Sequence, residues 1–168
     1  MYACSIPTED GSLSIITNEC AVLASGWVQD YSELTALIHP SLRSPIIEDS
    51  PPILDEAVKA IEKYYSGDYS STLDIPVLQM SGPFRVRAWA ALRQVPAGEL
   101  RSYYFLAQQA GNPRAARAAA SACAMNAAAL FVPCHRIQRS DGGPGGFRYG
   151  LAIKYSLIAR ESGKYMGS

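Results

Sequence analysis

The spacing of apolar residues changes near Met80, and this change constrains the fold more than any other feature of the sequence. Before it, two stretches alternate between apolar and polar residues, SLSIITNE at 12–19 and CAVLASGW at 20–27, which is typical of the two strands of a hairpin. After it, apolar residues recur every three or four positions, which is typical of helices. The change predicts an α/β protein with strands in its first part and mainly helices in its second.

A helix and a linker complete the prediction for the first half. The segment PPILDEAVKAIEKYY at 51–65 has apolar residues at helical spacing, and the turn-rich segment 68–83 follows it. We therefore predict one domain at 1–75, a linker at 76–82 and a second domain at 83–168. With 168 residues and 48% hydrophobic composition, the chain is long enough for a small domain packed on a slightly larger one.

Three helices are predicted at the start of the second half. The first covers 83–95, the second covers 102–110 after the N-cap Ser102, and the third covers 113–125 after the cap Asn112. The second and third helices are joined through Gly-Asn-Pro, so they form a candidate helix-turn-helix. Ordinary helical hairpins have the same turn residues.

The third predicted helix has an unusual composition. Seven of its residues are alanine, and its only long polar side chains are Arg114 and Arg117, which share one face at a spacing of three. A recognition helix that reads bases in the major groove carries more polar side chains. An alanine-faced helix can instead lie against the backbone of a narrower groove while one arginine reaches into the base stack. The other interpretation is that small residues simply allow tight packing between helices.

Charge is divided between the same two halves. Residues 1–80 hold twelve acidic and three basic residues, a net charge of −9, whereas residues 81–168 hold three acidic and twelve basic residues, a net charge of +9. Ten of these twelve bases are arginine, whose planar guanidinium favours phosphate. A basic face can be merely solvated, but this balance makes nucleic acid a candidate partner of the second half.

The stretch FVPCHR at 131–136 carries the strongest chemical signal. Cys134 can be a nucleophile, a metal ligand or a small buried hydrophobe, and the last is the common case for cysteine in an apolar setting. A reactive thiolate, however, needs a base and nearby positive charge, which His135 and Arg136 provide at once. Adjacent residues of an extended chain point to opposite sides, so we expect a water molecule to bridge Cys134 and His135.

A catalytic histidine also needs a carboxylate to orient it, and the second half offers Glu99, Asp141 and Glu161. Glu161 is preferred, because it ends a predicted helix at 151–161 that can fold back over Cys134. Metal binding is disfavoured, since two histidines and four dispersed cysteines give no pair of ligands at zinc spacing. We expect no metal, no cofactor and no disulfide framework.

The second half resembles a known family, the O6-alkylguanine-DNA alkyltransferases. The resemblance is carried by LRQVPAGELRSYYFLAQQAGNPRAARAAASACAMN, VPCHRIQRSDGGPGGFRYGL and KYSLIARESG, which cover most of residues 81–163. It implies a small N-terminal α/β domain of ribonuclease-H-like type and a mainly helical C-terminal domain with a helix-turn-helix. The first half resembles the family only in that outline.

The resemblance also implies catalytic roles. Cys134 is the implied alkyl acceptor, and His135 and Glu161 are the relay that activates it through water. Asn126 is implied to support the turn before the active site. Tyr103 is implied to push on the phosphate of an everted nucleotide and to supply a proton to the leaving guanine.

Contacts with DNA and with the alkyl group are implied in the same way. Arg117 is the finger that fills the space left by the everted nucleotide, and the other implied DNA contacts are Tyr103, Tyr104, Asn112, Arg114 and Ser140. The implied alkyl pocket is formed by Pro133, Phe147, Arg148 and Tyr149. Because Arg148 and Tyr149 stand where many members have small residues, we expect bulky adducts to fit less well.

The implied function is direct DNA repair. The protein would bind double-stranded DNA through the minor groove, flip out O6-alkylguanine or O4-alkylthymine, and move the alkyl group irreversibly to its own cysteine in a single turnover. We expect a monomer without membrane association, in the cytoplasm or, in a eukaryote, the nucleus, because no signal segment or spanning apolar run is present. Two other functions remain open, a DNA-binding regulator without chemistry and a cysteine hydrolase.

Overall fold

A computed structural model describes residues 1–163, which group into two compact units. The first unit comprises Met1–Met80 and Ala127–Phe131, and the second comprises Ser81–Asn126 and the described residues from Val132 onward. The predicted α/β class is confirmed. The predicted domain 83–168 includes the segment 127–131, which the structure groups with the first unit, and its last five residues lie outside the described part of the chain.

The first unit is built on an antiparallel sheet with the strand order β1-β2-β3. Its strands are β1 at Tyr2–Thr8, β2 at Gly11–Thr17 and β3 at Val22–Gly26. The two alternating stretches are confirmed as β2 and β3. We did not predict β1, because a proline and a cysteine interrupt its apolar pattern.

The outer edge of β3 is closed by two segments that come later in the chain. Val22 forms a parallel bridge with Val77. The Ser25 N–H donates to the Ala127 carbonyl at 2.8 Å, and the Ala129 N–H donates to the Ser25 carbonyl at 3.0 Å. These backbone bonds place the segment around Ala127 in the first unit.

Two α-helices belong to the first unit, α1 at Tyr31–Thr35 and α2 at Pro52–Tyr65. The prediction of a helix at 51–65 is confirmed. The buried face of α2 is formed by Ile53, Leu54, Ala57, Ala60, Ile61 and Tyr64. Because these side chains recur at helical spacing, α2 covers the apolar face of the sheet.

The second unit is mainly helical. Its helices are α3 at Pro83–Leu92, α4 at Tyr103–Gln109, α5 at Ala116–Ala124 and α6 at Leu151–Glu161. Two short strands, β4 at Arg101–Ser102 and β5 at Ile137–Gln138, pair in parallel. Strand β4 leads directly into α4, and β5 directly follows the turn that contains Cys134. Ser102 caps α4 as predicted, because its hydroxyl accepts from the Phe105 N–H at 3.0 Å. Among residues 1–163, no helix has the length and apolarity that a bilayer crossing requires.

Helix α5 begins later than predicted. The Asn112 side chain accepts from the Arg114 N–H at 3.1 Å, and the Asn112 carbonyl accepts from the Ala115 N–H at 3.0 Å. These bonds close a turn, so α5 starts only at Ala116. The prediction that Arg114 and Arg117 share a helical face is therefore wrong, because Arg114 lies before the helix.

Candidate active site

Cys134 opens a tight turn, not a strand. Cys134–Arg136 forms one turn of 3-10 helix, and the Cys134 N–H donates to the Val132 carbonyl at 2.8 Å. Pro133 between them has φ −81° and ψ 66°, the conformation of an inverse γ-turn. The expectation of an extended chain at Cys134 and His135 is wrong. The turn lets His135 be buried while Cys134 stays partly exposed.

Asn126 holds this turn from the end of α5. Its Nδ2 group donates to the Val132 carbonyl at 2.8 Å and to the Cys134 sulfur at 3.3 Å. The asparagine is itself 4% exposed, so its amide is fixed in place. A donor aimed at sulfur favours the thiolate over the thiol, which suits a nucleophile.

His135 and Glu161 meet in the interior. The His135 Nε2 lies 2.8 Å from the Glu161 Oε2, and both side chains are 2% exposed. Burial alone would raise the pKa of Glu161, but His135 and Arg136 hold that pKa well below its usual range. Because the carboxylate is ionised, Nε2 is the donor in this bond. In the neutral ring Nδ1 is then free to accept a proton.

Arg136 completes this buried ion cluster. Its Nε donates to the Glu161 Oε1 at 2.8 Å, and its Nη2 donates to the Glu161 Oε2 at 3.0 Å. A third bond runs from Nη1 to the Val95 carbonyl at 2.7 Å. The bidentate pair keeps the Glu161 carboxylate in one orientation for His135. From the sequence, Arg136 is predicted only to supply positive charge near Cys134.

The other two candidate acids lie elsewhere. Glu99 pairs with Arg101 at 2.8 Å, and Asp141 pairs with Arg139 at 2.7 Å, and all four side chains are substantially exposed. Neither carboxylate is the acid that faces His135. Of the acids in the second half, the structure brings only Glu161 to the histidine.

Lys154 is a site residue that sequence reasoning missed. It is fully buried on α6, and its Nζ donates to the carbonyls of Ile137 at 2.7 Å, Pro144 and Gly146. The loop before α6 is therefore tied to a buried ammonium group. Its position in the sequence could have indicated that it is buried, because Lys154 lies three residues before Leu157 and therefore on the apolar face of α6.

Burial and nearby positive charge have opposite effects on the pKa of the Cys134 thiol. Burial raises the pKa of Cys134, while the bond from Asn126 and the charges of Lys154 and Arg148 lower it. The net direction is upward, so the resting group holds its proton. A nearby base is therefore needed to produce the thiolate.

Tyr103 stays protonated at neutral pH. Burial, together with electrostatic interaction with the nearby sulfurs of Cys123 and Cys134, raises the pKa of Tyr103 to about 12, although a bond from the Gly146 N–H acts in the opposite direction. Gly145 has φ 69°, and any Cβ added there would overlap the Tyr103 hydroxyl. The hydroxyl is thus seated against this loop, where its oxygen accepts a hydrogen bond from the Gly146 N–H.

The remaining predicted residues take different positions. Five predicted DNA contacts are exposed, namely Tyr104, Asn112, Arg114, Arg117 and Ser140. In the predicted alkyl pocket, Pro133 is buried, and the rings of Phe147 and Tyr149 meet edge to face with centroids 5.6 Å apart. The guanidinium of Arg148 donates to the Ala124 carbonyl at 2.5 Å.

Within residues 1–163, no cluster of three or more His, Cys, Asp or Glu side chains could hold a metal ion.

These features define a class of protein with a cysteine nucleophile. Cys134 has an amide donor on its sulfur, and His135 on the same turn pairs with Glu161 of α6, within a mainly helical unit. This is the arrangement of a thiol that attacks an electrophilic carbon. Such geometry serves both group transfer and hydrolysis.

Comparisons with known proteins identify the particular family. Residues 83–163 match the family model described as 6-O-methylguanine DNA methyltransferase, DNA binding domain. A probable methylated-DNA–protein-cysteine methyltransferase of Acanthamoeba polyphaga mimivirus is 36% identical over 134 residues, which is 74% of this chain and 87% of that protein. The chain belongs to the O6-methylguanine-DNA methyltransferase family.

Two further relatives show how far the match extends. The bifunctional transcriptional activator/DNA repair enzyme Ada of Escherichia coli K12 is 44% identical over 90 residues, 54% of this chain but 25% of that protein. The chain thus spans only about a quarter of the length of Ada. A crystal structure of Mycobacterium tuberculosis OGT in complex with DNA aligns with a TM-score of 0.82 and 27% identity, covering 98% of this chain and 95% of that one.

Proposed function

We propose that this protein repairs DNA by moving an alkyl group from O6-alkylguanine to Cys134. The observation that carries the proposal is the buried cluster beside the thiol, in which Glu161 accepts from both His135 and Arg136. It provides an oriented base next to a sulfur that holds its proton at rest. O4-alkylthymine presents the same alkyl–oxygen bond, so it is the proposed second substrate.

In the proposed reaction, His135 first takes the proton of Cys134 through a bridging water. The thiolate then attacks the alkyl carbon in line, the new S–C bond forms, and the bond from that carbon to O6 breaks. The electron pair stays on guanine, which takes up one proton. Tyr103 donates a hydrogen bond to the leaving base, because its raised pKa keeps the hydroxyl protonated.

The thioether product does not hydrolyse, so each molecule acts once. The Cys134 sulfur is both the reagent and the final acceptor of the alkyl group. The protein is therefore consumed in proportion to the lesions that it repairs.

The proposed DNA surface is the exposed side of the turn and helix around Arg117. The alkylated oxygen of guanine is hidden in a duplex, so the nucleotide must rotate out, at a cost of a few kcal/mol. We propose minor-groove binding, since α5 presents mostly alanine and its one long exposed cation is Arg117. Binding by a monomer and a cytoplasmic or nuclear location belong to the same proposal.

Intact mass spectrometry tests the proposal. The protein is incubated with an excess of duplex DNA that carries a single O6-methylguanine, and we expect the mass to rise once, by one methyl group in place of hydrogen. Peptide mapping should place that methyl on Cys134. No mass change would support a regulator without chemistry, and repeated turnover without a stable adduct would support a hydrolase.

A further inference from the structure

Lys154 holds two separate parts of the chain from the interior of the second unit. The side chain lies on α6 and is fully buried. Its Nζ donates to the Ile137 carbonyl at 2.7 Å, to the Gly146 carbonyl at 3.4 Å and to the Pro144 carbonyl. An ammonium group has three N–H donors, so three carbonyls match its full capacity. None of the steps proposed for alkyl transfer uses this residue.

The first part that Lys154 holds leads to the backbone of Tyr103. Ile137 belongs to β5, which pairs in parallel with β4, and β4 leads directly into α4 at Tyr103. Arg101 is the partner of Ile137 in this pair. The contact between Lys154 and the Ile137 carbonyl therefore helps to fix the backbone just before Tyr103.

The second part lies against the Tyr103 hydroxyl. Gly145 stands between the carbonyls of Pro144 and Gly146, and a Cβ added to Gly145 would overlap this hydroxyl. The Gly146 N–H donates to the Tyr103 oxygen. That bond uses a lone pair of the oxygen and leaves the O–H available to donate to a leaving base. The carbonyls that Lys154 holds thus belong to the segment that orients the hydroxyl.

We propose that Lys154 is a positioning residue for the transfer reaction, because it holds β5 and segment 144–146 so that the Tyr103 hydroxyl faces the leaving base. This inference rests on the proposed alkyl transfer. Without the ammonium group, three buried carbonyls lose their donor, and the segment is expected to move toward water to regain one. Tyr103 then loses its support, and a displacement of about 1 Å can lower a rate by about a hundredfold.

The test compares two reactions of the Cys134 sulfur. Methyl transfer from a duplex that carries one O6-methylguanine uses a hydrogen bond to the leaving base, whereas alkylation by iodoacetamide releases iodide and needs none. Single-turnover rates at saturating protein, with peptide mapping of the modified Cys134, give the ratio of the two rates. Loss of the Lys154 charge raises the pKa of Cys134 and slows both reactions, so it cancels in the ratio.

The variants are Lys154→Met, Lys154→Gln, Tyr103→Phe and the double variant Lys154→Met/Tyr103→Phe. We expect Lys154→Met and Tyr103→Phe each to lower the ratio of methyl transfer to iodoacetamide alkylation by about tenfold or more. Lys154→Gln should keep the ratio closer to wild type, because its amide still has two N–H donors. In the Tyr103→Phe background, Lys154→Met should not lower the ratio further, since Lys154 acts through Tyr103.

Arg139→Met is the matched control, because Arg139 lies in the same loop but its guanidinium pairs with Asp141 on the surface. It should leave the ratio unchanged. Thermal unfolding shows first that each variant is folded. If Lys154→Met did not fold, Lys154→Gln would take its place in the double-variant comparison.

The outcomes separate this inference from the proposed function. A wild-type ratio in a folded Lys154→Met variant would overturn the role of Lys154. A further loss of the same size when Lys154→Met is added to Tyr103→Phe would also overturn it, because the two residues would then act independently. If neither Lys154 variant folded, Lys154 would support the whole unit, and the positioning role would be rejected. If the wild type formed no methyl adduct, the proposed function itself would fail.

Discussion

At the residue scale, the chemistry depends on one sulfur atom. We expect Cys134→Ser to abolish methyl transfer, because a hydroxyl has a far higher pKa than a thiol and supplies almost no nucleophile at neutral pH. Affinity for methylated duplex should stay within about twofold of wild type, since the shape of the side chain is kept. Intact mass and a binding titration measure the two effects.

Cys123→Ser is the matched control, because Cys123 is the other thiol that lies near Tyr103. It should keep one methyl group per molecule. Substantial methylation of the Cys134→Ser variant would instead make Cys123 the acceptor.

A second residue-scale prediction concerns Glu161 and pH. The pKa of Glu161 is lower in the folded state than in the unfolded state, so its ionised form stabilises the fold above about pH 5. That contribution is lost as the pH falls below about 4 toward the folded pKa. At pH 7, Glu161→Gln should lower the free energy of unfolding by about 3–5 kcal/mol, because Arg136 is left buried without its counter-ion.

Urea unfolding of wild type and Glu161→Gln at several pH values measures this difference. The gap between them should narrow in acid, and a gap that stays constant from pH 7 to about pH 3 would contradict the linkage. Glu99→Gln is the control, since its pair with Arg101 is exposed and worth about 0–1 kcal/mol.

The site was only partly predictable from sequence. Adjacency identified Cys134 and His135, and the position of Glu161 at a helix end singled it out among three acids. Lys154 was missed, because a lysine on an amphipathic helix is ordinarily solvated, and its three carbonyl partners come from a loop whose path no local pattern fixes. The bidentate bond of Arg136 likewise depends on tertiary packing.

At the scale of elements, Arg117 on α5 has two possible roles, base flipping and phosphate contact, which Arg117→Ala can distinguish. If Arg117 fills the vacated stack, Arg117→Ala should slow repair of a matched duplex by about tenfold or more and leave reaction with the free base nearly unchanged. A lesion opposite an abasic site or in a loose mismatch should recover much of the rate, since less unstacking is needed. Single-turnover transfer at saturating protein measures these rates.

Arg114→Ala is the matched control, because Arg114 lies in the turn before α5. Arg114→Ala should lower the affinity for matched and mismatched duplexes equally, and lower salt should restore binding. Equal defects of Arg117→Ala on matched and mismatched duplexes would leave the flipping role without support.

The elements that sequence predicted well are those with regular periodicity. The strands β2 and β3 and the helices α2 and α4 follow their patterns closely. The start of α5 was misjudged, because Asn112 and Pro113 suit an N-terminal cap as well as the separate turn that they form. Local signals show that a helix is interrupted but do not show on which turn it begins.

At the scale of the whole molecule, the division of charge should govern DNA binding. Residues 81–168 carry a net charge of +9, so affinity should fall steeply with salt, with a logarithmic slope of about −0.9 for each phosphate neutralised. Titrations between about 50 and 200 mM salt measure the slope. Arg114→Ala should reduce the slope by about one, whereas Lys59→Ala in the acidic half should leave it unchanged. A flat salt response would contradict an arginine-based DNA surface.

The backbone bonds on the outer edge of β3 have a consequence for synthesis of the protein. Residues 1–80 of the first unit are synthesised first. The segment Ala127–Ala129, whose backbone bonds to Ser25 of β3, is synthesised only later. At about 5–20 residues per second, the roughly fifty intervening residues take about 3–10 s. During that time half of the β3 edge is open to pairing with another nascent chain. Limited proteolysis of ribosome-bound chains arrested before and after residue 131 should show β3 becoming protected only in the longer chain.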